Sequence, residues 1–147
     1  MIKEDTNLCL MYNHLLKNYN NLHMDKVVHF ELPFDDKARA VNFYKSLFGW
    51  NLVDAGTMDY VMAYAAKTDE KHMVSEVGAI NGGLFPRDPG APNPIVCIAV
   101  DSIDEKLKEV VAAGGKVILP KIAIPNGGYA RITDPEGNIV GLVDSLK

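Results

Sequence analysis

Two stretches of this chain share one layout, and that repeat limits the possible folds more than any other feature. Asp35 to Gly49 and Asp101 to Gly115 are equally long, and each runs from an aspartate through apolar residues at helical spacing to a glycine. A strand-like run precedes each stretch and three follow it, so each half is predicted as strand–helix–strand–strand–strand. The predicted fold class is therefore α+β: two βαβββ modules packed side by side, with curved sheets enclosing a groove and helices outside.

The repeat also sets the domain boundaries. One domain is predicted over residues 24–147, because a chain of 147 residues is too short for two ordinary domains. Module one covers 24–86, a linker with proline and glycine covers 87–93, and module two covers 94–147.

Residues 1–23 form an N-terminal extension with a different composition. They are rich in asparagine and lack glycine and proline. A short amphipathic helix is predicted from about Thr6 to Tyr19, because apolar side chains recur at helical spacing: Leu8, Met11, Tyr12, Leu15, Tyr19 and Leu22. We interpret the extension as a segment that docks on the domain or on a partner chain, with a frayed tail as the alternative.

Capping residues mark the helix boundaries inside the domain. Asp36 is a suitable N-cap for the first helix, and Gly49 is a suitable end. Ser102 followed by Glu105 forms an S-x-x-E capping box for the second helix. The aromatic side chains of the first helix and its end are expected in the core, and they are Phe43, Tyr44, Phe48 and Trp50.

Charge and cysteine content argue against several classes of function. The chain has 15 Lys and Arg against 19 Asp and Glu, a formal net charge of −4, which disfavours nucleic acid and anionic membranes as partners and allows a cationic ligand. No apolar run approaches the ~18 residues of a membrane span, and the N-terminus lacks the layout of a secretory signal. Cys9 and Cys97 are the only cysteines, so no disulfide framework is expected and a cytoplasmic location is predicted.

The first strand, Val27 to Pro33, has two faces of different chemistry. Alternation places Val28, Phe30 and Leu32 on a core face, and His29 and Glu31 on the other. Glu31 is interpreted as a general base or as the partner of a cation such as Arg131. His29 is interpreted as a catalytic or ligand-contacting residue, or as a structural histidine bonded to Glu31 or to the backbone.

Other strands are expected to supply the remaining walls of the groove. Cys97 is favoured as a small buried hydrophobe over a nucleophile. Tyr129 and Arg131 share a strand face, and they either anchor a ligand or point outward. The other predicted lining residues are apolar or small, which is typical of a small-molecule site with room for a substrate, and they are Pro33, Ile95, Ala99, Ile139, Gly141 and Val143.

These features together resemble the vicinal oxygen chelate superfamily, which contains glyoxalase I, bleomycin-resistance proteins and extradiol dioxygenases. The resemblance rests on the doubled layout and on three short stretches: His29, the pair Phe43-Tyr44 with Leu47-Phe48-Gly49-Trp50, and Asp134-Pro135-Glu136-Gly137-Asn138-Ile139. It covers about residues 24–145. It implies the fold and leaves the reaction open, because one scaffold in this superfamily carries many functions.

The resemblance also implies where a divalent metal would be held. The family's metal enzymes use four side chains, one from the first and one from the last strand of each module, and these positions fall on His29, Gly82, Ile95 and Gly141. Only His29 can ligate, so no standard metal site and no cofactor is predicted. The other histidines, His14, His23 and His72, lie outside the strands of the groove. A metal completed by water or by a partner chain remains the alternative.

The resulting functional prediction is a glyoxalase-like protein that binds a small organic molecule in the groove between the modules. It would act as a homodimer, and lyase or isomerase chemistry would use Glu31 or His29 to move a proton. The predicted ligand-binding residues are His29, Glu31, Gly82, Ile95, Cys97, Tyr129, Arg131 and Gly141. The alternative is a sequestering protein of the bleomycin-resistance type, since an acidic groove would suit a cationic drug.

Overall fold

The computed structural model describes residues 24–56, 59–71, 73–125 and 127–145. Its order of elements is βαβββ twice, which confirms the predicted α+β class. The helices are α1 (Lys37–Phe48) and α2 (Ile103–Ala112). The strands are β1 (Lys26–Phe34), β2 (Asn51–Asp54), β3 (Val61–Tyr64), β4 (Asn81–Pro86), β5 (Ile95–Ala99), β6 (Lys116–Ile124), β7 (Gly127–Thr133) and β8 (Ile139–Ser145).

All eight strands belong to one curved, open sheet in the order β2-β3-β4-β1-β5-β8-β7-β6. The two modules meet where β1 pairs with β5 in antiparallel fashion. Each module also has one parallel pair, β1 with β4 and β5 with β8. Both helices pack on one face of this sheet, so the opposite face is free to form the groove.

The helix boundaries follow from the predicted caps. The Asp36 carboxylate accepts the amide of Arg39 at 2.9 Å, which satisfies one of the free N–H groups at the start of α1. Gly49 ends α1 with a φ of 68°, a left-handed conformation that glycine adopts without steric cost. The Ser102 hydroxyl accepts the amide of Glu105 at 3.3 Å at the start of α2. The predictions of Asp36, Gly49 and Ser102 as caps are confirmed, whereas the Glu105 carboxylate accepts from Lys108 at 2.9 Å.

A β-bulge interrupts the alternation of β1. Val27 pairs with Ile98 and His29 pairs with Cys97, with a shift in register between them at Val28. Because directly paired residues share a face, Val27 lies on the helix side together with Phe30. The bulge thus re-aims the strand so that His29 enters the groove. Uninterrupted alternation would place Val27 on the groove face with His29, and the bulge puts it on the helix side instead.

The expected burial of the aromatic residues of α1 is wrong for two of the four. Tyr44 and Trp50 pack against the core around Phe34. Phe43 and Phe48 are 50% and 59% exposed, and α1 has no buried residue. The periodicity predicts the helix correctly, but its apolar stripe extends beyond the surface that the sheet covers.

Three further details concern segments between the elements. The fourth strand begins at Asn81, three residues after Gly78, whose φ of 81° lies outside the strand region. Ala91 in the predicted linker is fully buried. The predicted N-terminal helix and His72 lie outside the described residues. In the described part of the chain, no helix is long and apolar enough to cross a membrane.

Candidate functional site

The candidate site is built around two side chains of β1 that lie on the face away from the helices. His29 lies between Asn81 of β4 and Cys97 of β5. Glu31 lies between Gly83 and Ile95 on the same two strands. The structure therefore brings Ile95 and Cys97 beside His29 and Glu31, as the strand alternation predicts.

Glu31 is the only buried charged residue among those described, at 6% exposure. Its Oε2 accepts a hydrogen bond from the Tyr129 hydroxyl at 2.5 Å, and its Oε1 accepts a longer one from the Tyr60 hydroxyl at 3.4 Å. His29 Nε2 lies 2.8 Å from the Tyr60 hydroxyl. A buried carboxylate needs such partners, because leaving it unsatisfied costs several kcal/mol.

Arg131 extends this network on the other side. Its Nε donates to the Tyr129 hydroxyl at 2.8 Å, and its Nη1 donates to the Asp88 carboxylate at 3.1 Å. The guanidinium also lies 5.0 Å from the centre of the Phe85 ring, a cation–π distance. Tyr129 and Arg131 therefore face inward, and Arg131 reaches Glu31 through a tyrosine rather than by a direct ion pair.

Two glycines make room for the two tyrosines. A Cβ at Gly83 would overlap the Tyr60 hydroxyl, and one at Gly141 would lie 2.6 Å from Cys97 Sγ and 3.2 Å from the Tyr129 ring. The expectation that glycines leave space for a substrate is wrong here, because the protein's own side chains fill that space.

The lining predicted at Gly82 also needs correction. Gly82 pairs with Phe30, and a Cβ there would overlap the Phe30 ring on the helix side. Gly83, one residue later, is the glycine beside Glu31. A shift of one residue exchanges the faces of a strand, so an alignment error of one position moved this prediction to the wrong face.

The missed residues Tyr60 and Gly83 have equivalents in the second module. Gly83 pairs with Met62, and Tyr60 lies two residues before Met62. Gly141 pairs with Arg131, and Tyr129 lies two residues before Arg131. Tyr60 and Tyr129 are therefore equivalent positions of the repeat. Aligning the two halves of the sequence beyond their helices would have identified Tyr60. Asp88 has no sequence signal other than its place in the linker.

The pKa shifts in the site have a common origin in burial. Burial raises the pKa values of the Tyr60 and Tyr129 hydroxyls, and the negative charge of Glu31 raises them further. Both hydroxyls stay protonated at neutral pH and can donate to Glu31. Burial and Glu31 also raise the pKa of the fully buried Cys97 thiol. A nucleophilic thiolate is therefore not favoured there, in agreement with Cys97 as a buried hydrophobe.

Burial gives His29 a pH-dependent effect on stability. It lowers the pKa of His29 below its usual 6.5, although the charge of Glu31 acts in the opposite direction. As the pH falls below that value, the unfolded chain binds a proton before the folded chain does, so stability is lost. We expect wild type to lose more unfolding free energy than His29→Gln between about pH 7.5 and about pH 5.5 in urea titrations. Equal losses in both proteins would contradict the burial of a neutral imidazole.

The donor set does not fit a tightly held divalent metal. The strand neighbours of His29 on this face include the Asn81 amide and the Cys97 thiol, and the other positions implied by the family are glycine or isoleucine. No group of three His, Cys, Asp or Glu side chains in the described ranges is arranged to hold an ion. A catalytic zinc site needs about three such ligands.

The residues of the site differ in how deeply they are buried. Phe85, Ile95, Cys97 and Tyr129 form a buried cluster at the Glu31 end. His29 and Tyr60 are only partly buried. Side chains therefore fill the space around Glu31, and the expected roomy cavity is absent there.

Comparisons with known proteins agree with this arrangement of elements. The family model described as the Glyoxalase/Bleomycin resistance protein/Dioxygenase superfamily matches residues 26–142. Proteins named "Putative glyoxylase CFP32" from Mycobacterium bovis and Mycobacterium tuberculosis are each 36% identical over 118 residues. That match covers 76% of this chain and 42% of the relatives, so the matched part is about two fifths of their length.

Solved structures show the same fold at low sequence identity. A Streptomyces coelicolor methylmalonyl-CoA epimerase aligns with a TM-score of 0.58 and 15% identity, covering 85% of this chain and all of that one. A Mn(II)-bound glyoxalase from Novosphingobium aromaticivorans aligns with a TM-score of 0.52 and 21% identity, covering 82% of this chain and 38% of that one. At these identities the likeness concerns the fold alone.

Proposed function

The chain belongs to the glyoxalase/bleomycin resistance protein/dioxygenase superfamily, and from this membership we propose that it binds a small carbonyl compound beside His29 and Tyr60. There Glu31 moves a proton on the carbon next to the carbonyl group. The reaction is an isomerisation or a lyase step that uses no metal. The name of the curated relatives, a glyoxylase, supports this class of chemistry and does not identify the substrate.

The main support for this proposal is that the two oxygens of the Glu31 carboxylate accept hydrogen bonds of unequal length. Oε2 is anchored by Tyr129 at 2.5 Å, whereas Oε1 has a 3.4 Å contact with Tyr60. The loosely held oxygen faces the partly exposed end of the network, where a ligand can approach. A base that is fixed through one oxygen and available through the other is well placed for proton transfer.

The proposed step balances within the site. Glu31 Oε1 takes the proton from the carbon, the C–H electron pair moves into the carbonyl group, and an enolate forms. The Tyr60 hydroxyl, or the N–H of neutral His29, donates a hydrogen bond to the enolate oxygen. In an α-hydroxy carbonyl compound such as a hemithioacetal, the enolate oxygen takes the hydroxyl proton of the neighbouring carbon, and Glu31 returns its proton to the former carbonyl carbon. The carboxylate is thus restored without an oxidant or a metal.

Proton exchange tests the proposal directly. The probe is the hemithioacetal of methylglyoxal and glutathione in D2O with excess EDTA, followed by proton NMR. We expect deuterium to enter at the carbon next to the carbonyl group in wild type. Glu31→Gln should slow this exchange about 100-fold or more, the usual range for loss of a general base.

A matched surface variant controls for unspecific effects. Glu136→Gln removes a carboxylate from an exposed turn, so exchange should stay at the wild-type rate. Exchange that occurs without EDTA but stops when EDTA is added would show a metal-dependent enzyme instead. Exchange in Glu31→Gln at the wild-type rate, or none in wild type above the buffer rate, would also refute the proposal.

The sequestering alternative receives less support from the site. It requires an acidic groove for a cationic ligand, but Glu31 is the only charged residue among those described that is classed as buried. Its negative charge is already compensated through Tyr129 by the guanidinium of Arg131. We therefore retain proton transfer as the proposed function.

A further inference from the structure

Helix α1 presents a large apolar surface to solvent. Phe43, Leu47 and Phe48 are 50%, 64% and 59% exposed, and no residue of this helix is buried. The equivalent helix of the second module, α2, buries Ile103 completely. Contiguous exposed apolar patches of this kind are uncommon on monomeric proteins and usually mark a contact.

This surface is continuous with the centre of the sheet. The Phe43 ring contacts Phe48 at 6.1 Å between centroids, Phe48 contacts Trp50 at 5.9 Å, and Trp50 contacts Phe30 at 5.3 Å. Phe30 pairs with Val96, which is 46% exposed on the helix side. We call the exposed residues of this surface the α1 face, and they are Val27, Phe43, Leu47, Phe48 and Val96.

The α1 face includes the start of β1, where residues 1–23 join the domain. Val27 is 46% exposed and lies on the helix side close to that junction. The preceding 23 residues carry an apolar stripe at helical spacing with no glycine or proline to interrupt it. A helix over residues 6–19 would be about 21 Å long, and α1, with 12 residues, is about 18 Å long. The two lengths match.

We propose that residues 1–23 fold back as an amphipathic helix and cover the α1 face. The apolar stripe of the segment packs on Phe43, Leu47 and Phe48, and its last residues cross Val27 as they enter β1. Burial of these side chains supplies the free energy that a short helix lacks on its own. This proposal is independent of the proposed reaction, because the α1 face lies on the opposite side of the sheet from Glu31.

Trp50 fluorescence reports whether residues 1–23 cover the α1 face, because Trp50 is the only tryptophan in the chain and contacts Phe48 directly. In the full chain, Met11→Glu with Leu15→Glu places two charges in the apolar stripe. We expect Trp50 emission to move to longer wavelength and acrylamide quenching to increase. The control, Asn13→Glu with Lys17→Gln, changes net charge equally on the opposite face of the predicted helix and should leave both signals unchanged.

A second variant, on the α1 face rather than in residues 1–23, keeps the test valid if the stripe variant does not fold. Leu47→Glu should expose the segment, so trypsin should cleave after Lys17 faster than in wild type. Asn42→Glu adds the same charge to an exposed position of α1 away from the patch and should not change this rate. Circular dichroism should show wild-type strand content in all variants, with helix content lost only in the stripe variant and in Leu47→Glu, where the segment detaches.

Three results would overturn the proposal. Trp50 signals that do not distinguish the stripe variant from its control would show that the segment leaves the α1 face open. Cleavage after Lys17 at equal rates in Leu47→Glu and Asn42→Glu would show the same. Quenching that increases on dilution of wild type, with a dimer mass in sedimentation, would assign the face to a second copy of the chain.

Discussion

Tyr129→Phe is expected to destabilise the protein by about 2–4 kcal/mol at neutral pH, a large fraction of the ~5–15 kcal/mol that holds a domain folded. The substitution removes the hydroxyl that donates to Glu31 Oε2 at 2.5 Å and accepts from Arg131 Nε at 2.8 Å. Glu31 then stays buried, and its Oε2 no longer accepts a hydrogen bond from Tyr129. Urea unfolding followed by circular dichroism measures the loss.

The control for this variant is Tyr44→Phe. Tyr44 stacks on Trp50 through its ring at 5.0 Å, and phenylalanine keeps that ring. Its unfolding free energy should stay within about 0.5 kcal/mol of wild type. In Glu31→Leu, the further loss caused by Tyr129→Phe should be smaller than in wild type, because removing both partners leaves fewer buried groups unpaired. Additive losses would contradict the Tyr129–Glu31 bond.

Gly83→Ala should have the second-largest effect, because it removes the space that Tyr60 occupies. A Cβ at this position would overlap the Tyr60 hydroxyl and ring. The ring must move, which breaks its contacts with His29 and with Glu31. We expect a loss of about 1–3 kcal/mol, the usual cost of overpacking. The pKa of His29 should also rise towards its ordinary value as the imidazole gains water.

NMR titration of His29 and urea unfolding measure these two effects in the same samples. Gly90→Ala is the matched control, since the atoms nearest to its Cβ, Asp88 Oδ1 at 3.2 Å and Ile118 Cγ2 at 3.4 Å, require at most a shift of a few tenths of an ångström. Its unfolding free energy and the pKa of His29 should stay close to wild type. An unchanged pKa of His29 in Gly83→Ala would contradict the position of Tyr60.

The parts of the fold that could be predicted from the sequence depend on local interactions. Asp36, Gly49 and Ser102 act within one helical turn, so their residue types are sufficient to mark the helix ends. The side-chain alternation of strands likewise placed His29 and Glu31 on one face. The repeat then predicted how the modules are arranged, because two similar units must bury similar surfaces.

The parts that could not be predicted depend on contacts between distant residues. The bulge at Val28 requires the register of β1 against β5. The meeting of Tyr60 and Tyr129 at Glu31 joins residues 29 and 98 positions from it in the chain. The exposure of Phe43 and Phe48 depends on how far the sheet extends beneath α1, which helical periodicity does not encode.

The duplication that places a glycine and a tyrosine in each half has a consequence for selectivity. The hydroxyls of Tyr60 and Tyr129 approach Glu31 from equivalent positions, but beyond them lie different groups, the neutral His29 on one side and the cation of Arg131 on the other. The two tyrosines are thus related by pseudo-twofold symmetry, but the groups beyond them differ in charge. In the proposed reaction, this asymmetry would present different groups to the two sides of a bound enolate.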